Sequence, residues 1–185
     1  MPGCKAQYGT RLVCGDLLFP GGAYPDFWVG YISDLGTPIS GVQSAPISSL
    51  SFVAYTGLVR FDGQKFAHAF SSAWNKGAGG NGYFTHRSIV KLLALSTQDD
   101  VEIQRLLQAQ DAFIVYGNNN DQLFISGYGK GLASVPGDLT TTGVAAGDDV
   151  TDTVTLEGAE KTKPVRFDSG SGFAASVAYL NARVI

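Results

Sequence analysis

Thr97-Gln-Asp-Asp-Val-Glu-Ile-Gln-Arg-Leu-Leu-Gln-Ala-Gln110 is followed by Ala112-Phe-Ile-Val-Tyr116, Asn118-Asn-Asn-Asp121, Gln122-Leu-Phe-Ile-Ser-Gly-Tyr128 and, further on, Asp152-Thr-Val-Thr-Leu-Glu-Gly158. The first segment reads as an amphipathic helix, with Ile103, Leu106, Leu107 and Gln110 on one side. Thr97 suits an N-cap, Asp100 takes the capping-box position, and Asp99 and Glu102 lie beside the helix's positive end. Asp111 and the β-branched run after it end the helix. The remaining segments read as strand, turn, strand and a later alternating strand, in which Val154 and Leu156 face opposite to Thr153 and Thr155.

Working outward, Tyr83–Leu95 reads as a strand, with helix as an alternative after Ser88. Ser51–Phe61 and Gln64–Ser71 flank Asp62-Gly63, a strong hairpin signal, and place Phe66, His68 and Phe70 on one face. Asn75–Gly82 is a glycine-rich strand connector. Arg11–Phe19 and Phe27–Ile32 read as strands, separated by turn signals at Pro20-Gly-Gly and Tyr24-Pro-Asp26. Asp34–Ser49 is a long loop, of a length usually functional or buried in a partner. Pro164–Phe167 is a short edge piece, and apolar Ala174–Ile185 a strand or an arm. The expectation is one mainly β (α+β) domain over residues 1–185: a β-sandwich or barrel with one flanking helix at about 97–110, a long loop at 34–49 and a C-terminal arm at 168–185.

Composition agrees with that class. Charged residues are 16%, apolar residues 44%, and 24 glycines suit a turn-rich β fold rather than a helical bundle or a disordered chain. The net charge of −3, with basic residues scattered, argues against a basic DNA-binding protein. No run approaches the length of a membrane helix, and Met1–Lys5 lacks a signal-peptide layout, so a protein made and kept in the cytoplasm until it assembles is expected. Cys4 and Cys14 lack CxxC spacing and read as free thiols, with a bridge closing a small loop between them as the alternative.

A search for chemistry finds little. His68 and His86 lack carboxylate or thiolate partners at a recognisable spacing; Asp62 and the two cysteines are the nearest candidates, and packing or hydrogen bonding is the better reading. Ser169-Gly-Ser-Gly172 is no nucleophile elbow. Gly77-Ala-Gly-Gly-Asn-Gly82 has no GK[ST] after it, and Gly127-Tyr-Gly-Lys-Gly131 follows a strand and enters a turn. Asp148, Asp149 and Asp152 have the wrong spacing for calcium. No catalytic residue, cofactor site or metal site is assigned, and a non-enzyme is expected.

The element order, with Phe113-Ile-Val-Tyr116, Leu123-Phe-Ile-Ser-Gly127, Gly131-Leu132 and Thr153-Val-Thr-Leu-Glu-Gly158, resembles tail-tube and related virion proteins of tailed bacteriophages, most of all those from phages of Bacteroidetes hosts. The likeness covers about residues 83–167 and rests on element order and short strings; residues 1–82 match in hairpin character only. It implies a sandwich or barrel with a helix on its side, forming stacked six-fold rings around a DNA channel in the virion. Its partners would be identical subunits of the same and adjacent rings, other virion proteins, and DNA passing without sequence-specific contact. The alternatives are a head–tail adaptor, tail terminator or capsid-decorating protein, and a β-sandwich module binding carbohydrate or peptide through Trp28, Trp74 and the eight tyrosines.

Overall fold

A computed structural model describes residues 23–39, 45–62, 67–77, 79–92, 97–137, 140–141 and 151–185. Its strands are β1 (Ala23–Tyr31), β2 (Val59–Phe61), β3 (Ala69–Lys76), β4 (Gly82–Leu92), β5 (Ala112–Asn118), β6 (Gln122–Ser126), β7 (Ala133–Ser134), β8 (Thr140–Thr141), β9 (Thr151–Glu160) and β10 (Val165–Phe167). Helix α1 (Thr97–Gln108) precedes β5, and α2 (Phe173–Asn181) follows β10. The strands make two antiparallel sheets, ordered β10-β6-β5-β1-β2 and β3-β4-β9-β7, with β8 also on β9. Among the described residues the sheets do not close into a barrel, so the architecture is a mainly β sandwich.

The first sheet is buried on both faces, which explains the unbroken apolar run at Ala112–Tyr116. Phe27, Val29, Ile114 and Tyr116 turn one way and meet Val90, Leu92, Val154 and Leu156 of the second sheet. Ile103 and Leu106 of α1 complete this core. An aromatic group runs through it: Phe70 stacks on Tyr116 with centroids 4.1 Å apart, and Phe27 on Phe61 at 5.3 Å. On the opposite face Trp28, Phe113, Val115, Leu123 and Ile125 pack under α2 and under Ile32, Leu35, Ile39, Ile47 and Phe52.

Several expectations hold. Helix α1 buries Ile103 and Leu106, although Gln110 lies beyond its end and is exposed. β5 and β6 form the expected hairpin, whose turn has Asp121 at φ 54° and the Asn118 side chain accepting from the N–H groups of Asn120 and Gln122. β9 buries Asp152, Val154 and Leu156 in alternation, and β10 is an edge strand.

Other expectations are corrected. There is a second helix: the segment read as strand or arm is α2, with Leu180 fully buried and the Trp28 Nε1–H donating to Asn181 Oδ1 at 3.0 Å. Gly63–Phe66 lie outside the described residues, and the described strands on either side do not pair with each other: β2 pairs with β1 and β3 with β4, in different sheets. The eight-rung β3–β4 pairing, beyond which the Gly77 N–H donates to the Asn81 carbonyl at 2.8 Å, outweighs a short Val59–Phe61 strand that β1 already occupies. Tyr24-Pro-Asp26 is no free turn but an irregularity within β1, where the register on β5 shifts between Ala23 and Phe27. In the described parts of the 34–49 loop, Leu35, Ile39 and Ile47 pack on the first sheet. Arg11–Phe19, Cys4, Cys14, Asp148 and Asp149 lie outside the described residues.

Candidate functional site

The two histidines come from the second sheet's inward face, and each ties that sheet to the first. His86, on β4, is fully buried; its Nε2 lies 2.8 Å from the Thr162 carbonyl, and its Nδ1 accepts from the Gly127 N–H at 3.2 Å. His68, just before β3, has Nε2 3.0 Å from the Pro25 carbonyl, while Nδ1 accepts from the Lys91 N–H at 3.3 Å. A carbonyl can only accept and a backbone N–H can only donate. Both rings are therefore neutral, with the proton on Nε2.

Burial pushes both imidazoles below their ordinary pKa. It outweighs the Pro25 carbonyl and Asp26 at His68, and the Thr162 carbonyl and Glu160 at His86, which favour the cation. With both nitrogens of each ring engaged, neither is free to take a metal ion or a substrate proton. Among the described residues no cluster of three His, Cys, Asp or Glu side chains could hold a metal ion. Asp62 is 2.7 Å from Arg60, which also pairs with Asp26 at 2.9 Å.

The glycine loop at 127–131 does bind an anion, but an internal one. Oε1 of Glu160, a residue 4% exposed, accepts the N–H groups of Gly129 at 2.9 Å and Lys130 at 2.8 Å. Tyr128 hydrogen-bonds Thr162 beside it. This pair of backbone donors fastens the end of β9 to the loop after β6. Sequence reasoning missed Glu160, because nothing local marks a carboxylate that a distant loop will meet. Ser169 bonds Ser176 at 2.9 Å through its backbone N–H, as part of the turn into α2. Trp28 lies in the core, which removes it from any sugar-stacking surface, whereas Trp74 is 59% exposed.

The sheet edges differ sharply in how they are guarded. Outside β10, Ile47 donates to the Arg166 carbonyl at 2.8 Å and accepts from Asp168 N–H at 2.9 Å. At the start of β2, Leu58 N–H donates to Arg183 O at 2.8 Å and Leu58 O accepts from Ile185 N–H at 3.1 Å, so the C-terminus covers that margin. β7 and β8 are two residues each. β3 is different. It has eight residues, six of them exposed, no proline, no register shift against β4 and one formal charge, Lys76, at its end. Among the described residues no strand lies on its outer side. Proteins ordinarily block such an edge with charge, proline, a bulge or a covering segment.

No described helix is long and apolar enough to cross a membrane. Comparison of the chain with protein-family models, with curated proteins and with solved structures finds no match in any of the three.

Proposed function

We propose that this chain is an architectural subunit that assembles with copies of itself, and within that class a tail-tube protein of a phage virion, forming stacked six-fold rings around a DNA channel. The observation that carries the assembly reading is the contrast between the guarded margins of the first sheet and the eight-residue edge of β3, on whose outer side no strand lies among the described residues. The engaged nitrogens of His68 and His86 support structure over turnover, since the imidazoles serve as fasteners between sheets.

The virion assignment rests on the resemblance of residues 83–167, and a sandwich with α1 packed at its side is compatible with it. In this reading the partners are identical subunits of the same and adjacent rings, other virion proteins and DNA in transit. Assembly takes place in the host cytoplasm. A net charge of −3 suits a conduit that does not grip phosphates. Negative-stain imaging of the purified full chain tests the reading: rings or stacked rings are expected, and a field of monomer-sized particles at high protein concentration contradicts it.

A further inference from the structure

We propose that the outer edge of β3 docks against β3 of a second copy of this chain, antiparallel, about a two-fold axis at Ser72. The inference rests on the reading above only in taking that edge as an assembly surface. It adds the partner strand, the symmetry and the register.

Length selects the partner. An eight-residue row of N–H and C=O groups is matched by a strand of similar reach. The other described margins are two-residue β7 and β8, the Ile47-covered side of β10 and the C-terminus-covered start of β2. Among the described strands with an open outer side, only β3 itself has the required length.

Charge selects the direction. Antiparallel pairing sends the two Lys76 side chains to opposite ends of the ladder, whereas parallel pairing in register sets like charges side by side.

Side-chain parity and the aromatic residues together select the register. A two-fold axis perpendicular to the sheet keeps both inward faces together, so residues of equal parity oppose each other. Centred on Ser72, this sets Trp74 against Phe70 of the second copy. Phe70 already stacks on Tyr116 at 4.1 Å, and Trp74 is 59% exposed with its indole lying where a Cβ on Gly82 would be. The pairing extends the aromatic group of the core across the axis and covers the exposed indole. Such a pair closes on itself and cannot grow into a tube. It is the free form of the subunit, and ring building exchanges it for head-to-tail contacts.

Size-exclusion chromatography with light scattering on the full chain tests this. The wild type is expected as a dimer. Ser72→Lys, which sets two ammonium groups on the axis, should weaken dimerisation at least tenfold, while Thr153→Lys, on the outward face of the central strand β9, leaves it unchanged. A Ser72→Cys variant that also carries Cys4→Ser and Cys14→Ser should oxidise to a covalent dimer, and this arm decides the matter if Ser72→Lys fails to fold. A monomeric wild type, a Ser72→Lys variant that dimerises normally, or a Ser72→Cys variant that stays uncross-linked overturns the inference. Rings that form while these results fail overturn the pair and leave the tube reading standing. A Ser72-dependent dimer that never yields rings does the reverse.

Discussion

The backbone N–H of Gly127 donates to Nδ1 of His86 across 3.2 Å, joining the loop after β6 in one sheet to the middle of β4 in the other. With the Thr162 carbonyl on Nε2, the ring spans three chain segments. His86→Ala leaves a buried donor and a buried acceptor without partners, at roughly 1–3 kcal/mol each. Equilibrium urea unfolding should show a loss of about 2–5 kcal/mol. A change within about 0.5 kcal/mol, the range of an ordinary surface substitution, would contradict the fastener role.

Acid should loosen the sandwich. Burial lowers the pKa of both histidines in the folded state, whereas the unfolded chain titrates near the ordinary 6.5. Between the folded and unfolded values the unfolded state binds more protons, so stability rises with pH. The contribution is fully present above about 6.5, declines as pH falls below it, and levels off beneath the depressed folded values. Each histidine adds a slope of up to about 1.4 kcal/mol per pH unit. Urea midpoints measured from pH 8 to 5 check this, and His86→Gln should flatten the curve. An unchanged curve in that variant would show that His86 does not titrate on unfolding.

Gly158 on β9 runs against the loop at Gly131. A Cβ there would meet the Gly131 carbonyl oxygen, and Gly131 itself sits at φ +86° against the backbone of Asp111. Gly158→Ala should destabilise by about 1–3 kcal/mol or more, because the obstacle is backbone and cannot swing aside. Gly79→Ala, where nothing lies within 4 Å, should be nearly neutral. Thermal melts of the two variants, compared side by side, test the close approach.

Removing residues 172–185 should cost the fold rather than trim an appendage. Leu180, Val177, Phe173 and Tyr179 pack on the second core, and Arg183 and Ile185 bond to Leu58. The truncated chain is expected to lose cooperative unfolding or to precipitate. Asn181→Ala, which takes the acceptor from Trp28 Nε1, should cost about 1–2 kcal/mol. A truncated chain with an undiminished melting transition would restore the reading of this segment as an arm.

What the sequence shows well is local. The Asn118–Asp121 turn, the 3.6-residue spacing of Ile103 and Leu106 and the alternation along β9 are each set by neighbours in the chain, and each appears in the fold. Long-range pairing is less visible. Asp62-Gly63 carries a hairpin signal, yet β1 and β4, from elsewhere in the chain, occupy its two flanks. The C-terminal helix did leave a trace. Phe173, Ser176, Val177 and Leu180 recur at helical spacing amid three alanines, but the uniformly apolar segment hides the stripe. The histidine fasteners and the Glu160 contact were illegible for the same reason as the β3 edge: each is a property of which strands lie side by side.

Sedimentation velocity of the 185-residue wild-type chain over two decades of concentration tests most directly whether self-assembly is what this sandwich is built for. The account predicts a boundary that moves from the two-copy species to ring-sized particles as concentration rises. A single monomer boundary at every concentration would contradict it.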